Sequence, residues 1–225
     1  MAGLLYLTVI GTGAASLLIA PALVVAGDAA ATANNILNAE QVFRLSFALN
    51  LIATAAYVGV AAVFYELLKP AGKTLSVVAA FFGLTGCAVG AAISLDGLSP
   101  VLLLKGAPYL AAFTKEQLQA LALTSLRLSS VGGNIALIFF GFYCLMLGFL
   151  IVGAKFLPRI LGVFLAISGA AWLIGSFGSI LVPAFASQIS PYTMAAAIFG
   201  ESALTLWLLT FGVNDAKWRA QAGET

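Results

Sequence analysis

The residue best placed to do chemistry in this chain is Glu201, which stands well inside its last long apolar stretch. An ionisable side chain within a membrane segment marks a functional site by default, because taking its charge out of water is costly. Counted from Pro191 at the usual helical rise, it lies about 15 Å along its helix, near the expected bilayer midplane. A carboxylate at that depth must be protonated or paired. Arg44, Asp96 and Arg127 fall near the outer ends of their own apolar stretches. With Glu201 they could form a neutral cluster of two arginines and two acids, since an arginine side chain can snorkel over several ångströms. Asn50 and Asn134, which follow the two arginines, offer hydrogen bonds instead. The candidate ligand- or ion-binding residues are therefore Arg44, Asn50, Asp96, Arg127, Asn134 and Glu201. The chemistry open to them is carrying a proton or holding a cation or small polar solute.

Other polar groups recur at helical spacing. Ser46, Asn50, Thr54 and Tyr57 form one stripe, Ser130 and Asn134 a second, Ser168, Trp172, Gly175 and Ser179 a third, and Glu201 and Thr205 a fourth. Lipid offers these groups no partners, so each stripe must face protein or a wet cavity. Two readings stand: inter-helical hydrogen bonds worth about 0.6 kcal/mol each, or the lining of a ligand or ion site.

Several chemistries are made unlikely. The chain has no histidine, which removes the commonest metal ligand, the usual general base and bis-histidine haem ligation. No Ser-His or Cys-His pair exists for acyl transfer, and no mid-helix lysine could hold a retinal Schiff base. No run of arginines at three-residue spacing suggests a voltage sensor. Cys87 and Cys144 both lie in apolar runs and read as small core residues rather than a disulfide framework. Gly11 and Gly13 follow no strand and do not make a nucleotide loop. No cofactor or metal is implied, and an enzyme is the least favoured reading. A formal charge of +2 leaves no basic field for nucleic acid.

The elements that must position these groups are membrane helices. Of 225 residues, 62% are hydrophobic and 8% charged, where a soluble domain carries about 25% charged residues. A membrane helix needs about 20 apolar residues. Six stretches qualify: 3–25, 43–68, 74–96, 128–153, 157–182 and 191–213. The first lacks a basic n-region and is too long for a signal peptide. Turn chemistry separates the stretches at Gly27-Asp28, Lys69-Pro70-Ala71-Gly72 and Leu157-Pro158-Arg159, and Ser190-Pro191 reads as an N-cap followed by proline at the first helical position. The fold expected is all-α: one polytopic membrane domain over 1–225, a bundle of six transmembrane helices.

Orientation follows from lysine and arginine placement. Lys69, Lys73, Lys155, Arg159, Lys217 and Arg219 fall in the second and fourth connections and the C-terminal tail, while the first and fifth connections hold none and the third holds Lys105 and Lys115. Both termini are expected to be cytoplasmic, in the inner membrane, with Trp218 as an interfacial anchor. Two outer connections read as short surface helices. One follows Asp28 as N-cap. The other spans 114–126, where Thr114 and Gln117 form a capping box. The glycines Gly86, Gly90, Gly132, Gly133, Gly169, Gly175 and Gly178 are placed to let helices approach closely.

An internal helical-hairpin repeat is also suggested. Arg44-Leu45-Ser46 with Asn50, and Arg127-Leu128-Ser129 with Asn134, open two helices that each run to a basic turn. Parallel repeats of this kind occur in transporters. Recurring leucine and serine in a composition like this one is the competing explanation.

The motifs "GLLYL" from Gly3, "GDAAATANNIL" from Gly27, "FRL" from Phe43, "YELLKP" from Tyr65, "FLPRILG" from Phe156, and Gly200-Glu201 before "GVN" at Gly212 run almost the length of the chain. On these the chain resembles a bacterial membrane-protein family designated domain of unknown function 4386. The resemblance implies a single membrane domain and transfers no activity. It also implies histidines in the fourth helix, where this chain has Ser129 and Tyr143.

The function expected is binding or transport of a small solute or proton around Glu201. The alternative is a non-catalytic accessory subunit packed against a larger membrane complex. The expected partners are the lipid bilayer and either other membrane subunits or further copies of this chain.

Overall fold

Long apolar runs free of interior breakers become long helices, because in lipid only a helix satisfies every backbone group within its own segment. The computed structural model describes residues 1–223. It contains α1 (Ala2–Ala22), α2 (Ala29–Asn38), α3 (Glu40–Leu68), α4 (Lys73–Leu104), α5 (Lys115–Gly153), α6 (Arg159–Leu181), α7 (Pro183–Thr210) and α8 (Asp215–Ala222), with a single 3-10 turn at Pro108–Ala112. Six of these, α1 and α3 to α7, are long and apolar enough to cross a membrane. They close into a ring in the order α1, α3, α4, α5, α6, α7, with α7 returning to α1.

Three boundaries at the end of the bundle away from the termini differ from the sequence reading: the helix expected to end at 96 runs on through Pro100 to Leu104, and two others also shift. The capping box is present: the Thr114 hydroxyl accepts from Gln117 N, and the Gln117 side chain accepts from Thr114 N. The helix it starts does not stop at 126, however, but continues unbroken to Gly153. Nothing between 115 and 131 is proline or glycine, so no residue ends it. Likewise α7 begins at Pro183, not Pro191, with Val182 alone separating it from α6. Pro183 takes the first-turn place where a missing N–H costs nothing. Pro191 is carried inside the helix, and Thr193 Oγ1 donates to the neighbouring carbonyls of Ile189 and Ser190.

The short α2 forms as expected, with the Asp28 side chain accepting from Ala31 N. It packs on α5 and α4, and its Ile36 meets Phe43 and Val101 in a small separate core. Ala29–Leu68, broken once at Ala39, and the unbroken Lys115–Gly153 thus each begin at a side-chain-capped end.

The α5–α6 seam is built on glycine. A Cβ on Gly148 would lie 2.7 Å from the Gly162 carbonyl oxygen, and one on Gly162 2.6 Å from that of Gly148. Gly141 and Gly169 face each other in the same way, with 2.6 Å from a Gly169 Cβ to the Gly141 oxygen. Both pairs recur at seven-residue spacing, which keeps one helix face turned to its neighbour. Gly200 then presses α7 onto the Phe164 carbonyl of α6. Of the glycines expected at close approaches, Gly86, Gly132 and Gly169 are tightly packed, while Gly133 has open space beside it.

α8 closes the end of the bundle that carries both termini. Asn214 caps it through Lys217 N. The Trp218 indole donates to the Leu67 carbonyl at 2.8 Å, and Asn214 N donates to Phe156 O at 3.2 Å.

Candidate functional site

Glu201 is turned into the ring by the contact immediately before it. Because Gly200 rests on the α6 backbone, the next side chain enters the groove between α6 and α5, and Glu201 is buried. On α6, Ser168 and Trp172 lie four residues apart and so share a face. The Trp172 indole Nε1 donates to Glu201 Oε1 at 2.6 Å. Ser168 Oγ lies 3.5 Å from the same oxygen and 2.5 Å from the Ala197 carbonyl. A serine has one proton to donate, so Ala197 takes the strong bond and Glu201 the weak one. Cys144 Sγ of α5 approaches Oε1 at 3.9 Å. All three contacts converge on Oε1, and no hydrogen bond among the described residues reaches Oε2.

Three tyrosines complete the surroundings, one each from α1, α3 and α5. Tyr6, Tyr57 and Tyr143 are buried, and their hydroxyls have no hydrogen-bond partner among the described residues. The Tyr6 and Tyr57 rings stand 6.0 Å apart edge to face, and Tyr57 lies 5.7 Å from Tyr143 and 4.3 Å from Phe140. The Tyr6 hydroxyl lies close enough to interact with both Glu201 and Tyr57, though outside regular hydrogen-bond geometry. Buried phenol oxygens nearly always find a partner. Three buried phenols without a regular hydrogen bond near one carboxyl are therefore an unusual polar feature of the interior.

The other expected site residues lie apart from this cluster. Arg44 Nε donates to Glu40 Oε1 at 2.8 Å, one turn back on its own helix, and Lys105 Nζ reaches the same oxygen at 3.1 Å. Asn50 Nδ2 donates to Ser94 Oγ at 3.2 Å, which bonds α3 to α4. Asn134 Nδ2 turns back to the Ser130 carbonyl at 3.3 Å. Asp96 is half-buried and Arg127 exposed, and neither forms an ion pair among the described residues. The four charged groups do not meet. Glu201 is bound by neutral donors instead of an arginine or an asparagine.

Trp172 and Ser168 belong to a polar stripe already visible in the sequence, and Cys144 is buried as expected. Tyr6 carried no such pattern. Its signal is a phenol inside an apolar run, where the hydroxyl needs a partner from another helix.

Neither the curated proteins nor the solved structures yield a match to this chain. The family model described as Domain of unknown function (DUF4386) matches residues 1–212, and the chain belongs to that family.

Proposed function

We propose that the protein binds and moves a proton or small polar solute across its membrane, with Glu201 as the exchanging group. One observation carries this reading: a buried carboxyl with no cationic partner among the described residues, with three buried phenols nearby that make no regular hydrogen bond. An acid held only to brace the bundle would be expected to have both oxygens satisfied. Here Trp172 holds Oε1, and the neighbouring Tyr6 hydroxyl is placed to exchange with the carboxyl. Tyr6, Tyr57, Tyr143 and Cys144 then provide hydroxyl and thiol groups that can hand a proton on or bind a polar solute's hydrogen-bonding edge.

A second reading, an accessory subunit, has its own support. The α1 helix buries little of its surface within the chain and leaves Leu4, Leu7, Leu17 and Leu18 exposed, a face that lipid or another subunit would cover.

The two separate in one experiment. The purified chain alone is reconstituted into vesicles holding a pH-sensitive dye, and a pH step or a panel of small solutes is applied outside. Carriage by the wild type that Glu201→Gln abolishes supports the transport reading. Tight vesicles with wild type and variant alike, and co-purification with other chains, overturn it in favour of the subunit.

A further inference from the structure

We propose that a recess between the α5–α6 turn and α8 binds the phosphate-bearing headgroup of an anionic phospholipid. The recess encloses about 460 Å³ and is lined by Lys155, Arg159 and Lys217, with the buried Ala154 and Leu157 as its apolar wall. All three cations are exposed, and none forms an ion pair among the described residues. Like charges gathered in one recess repel unless an anion joins them. A phosphate offers oxygens to all three at once.

The recess is held in shape rather than left to a loose tail. Lys155 N donates to the Gln221 side chain at 2.9 Å, which pins α8 to the turn in addition to the contacts of Trp218 and Asn214. The α6 helix also begins here at Arg159, with no side chain capping its first turn, so the positive end of its dipole adds to the field.

A lipid fits better than free phosphate because of where the recess lies. It sits where α5 ends and α6 begins, the level at which membrane helices meet headgroups. Val152 and Ile160, each next to the recess in sequence, are 37% and 53% exposed and would be covered by the acyl chains of a lipid seated there. This end of the bundle is also the basic one. Lys69, Lys73, Lys155, Arg159, Lys217 and Arg219 are opposed among the described residues by Glu66 and Asp215, whereas the other end has four basic and four acidic residues. Basic pockets at such positions take anionic headgroups. None of the recess residues is a partner of Glu201, and the site is independent of any transport.

The test uses the full chain in a non-ionic detergent, with phosphatidylglycerol, phosphatidylcholine or inorganic phosphate added at equal phosphorus. Bound lipid is counted by native mass spectrometry, and thermal unfolding is read in parallel. Phosphatidylglycerol should be retained and raise the unfolding temperature, while phosphatidylcholine and inorganic phosphate should do neither. The Lys155→Gln, Arg159→Gln, Lys217→Gln triple variant should bind phosphatidylglycerol about a hundredfold more weakly, from three interfacial charges. Lys73→Gln with Arg219→Gln, at the same end but outside the recess, should bind as the wild type does. Equal retention of both lipids, equal loss in the two variant sets, or an equal response to inorganic phosphate would overturn the lipid site. Should the triple variant fail to fold, charge reversal at Lys217 alone on the exposed α8 keeps the comparison, with the same expected direction.

Discussion

The Trp172 indole nitrogen lies 2.6 Å from Glu201 Oε1, joining α6 to α7 at the one buried carboxyl among the described residues of the bundle. The bond is the strongest donor contact this carboxyl makes, since Ser168 spends its proton on Ala197 and a thiol donates weakly. Trp172→Phe should therefore leave Oε1 poorly satisfied and destabilise the fold by about 1–3 kcal/mol. Glu201→Gln keeps an acceptor oxygen for the indole and should cost less. Thermal unfolding of both variants in detergent checks the order. A Trp172→Phe protein as stable as the wild type would show that the bond does not hold the site.

The glycine seam makes an opposed pair of expectations. Gly148→Ala drives a methyl into the α6 backbone, with 2.7 Å to the Gly162 oxygen, and should cost about 1–3 kcal/mol or more because backbone cannot rotate away. Gly133→Ala meets nothing within 4 Å and should gain up to about 1 kcal/mol of helix propensity. Unfolding midpoints of the two variants should move in opposite directions. A shared direction would place the α5–α6 contact elsewhere.

The charge distribution predicts sidedness. Six spans put both termini on one face, and from the basic residues gathered there the positive-inside rule predicts that this face is cytoplasmic. Reporter fusions after Thr225 and within 28–41 should report opposite compartments, the first cytoplasmic. An exported C-terminal reporter would reverse the topology.

The outer and inner parts of the fold were not equally legible in the sequence. Apolar length located all six spans, and Asp28 and Thr114 named two helix starts correctly because their caps are local chemistry. Arg127-Leu128-Ser129 looked like a new start but lies mid-helix, since repeated residues carry no stop signal. Two prolines eight residues apart, Pro183 and Pro191, both suit a first turn, and packing of α7 on α6 decides between them. The charged cluster failed for a reason the sequence does contain: Glu40 stands four residues before Arg44, within one helical turn. Inward-facing Glu201 was legible from the cost of a carboxyl in lipid, whereas its partners Trp172 and Ser168 required knowing which helices touch. The seven-residue glycine spacing held that information, unread.

The buried phenol hydroxyls offer a test of the proposed function. Tyr6, Tyr57 and Tyr143 each bury a phenol oxygen that makes no hydrogen bond among the described residues. A buried polar atom without a partner costs about 1–3 kcal/mol. Replacing each tyrosine by phenylalanine removes only that oxygen and keeps the ring contacts of 4.3–6.0 Å that pack the core. Stability should accordingly hold or rise by about 1 kcal/mol at each position, read as the unfolding midpoint in detergent. Function should move the other way. If these oxygens serve a proton or solute at Glu201, Tyr6→Phe should lower carriage in vesicles most, because its hydroxyl is the one close enough to interact with the carboxyl. Tyr143→Phe should then retain more activity than Tyr6→Phe. A triple phenylalanine variant more stable than the wild type and equally active would show that the oxygens serve neither packing nor transport, and would confine the exchanging chemistry to Glu201 and Cys144.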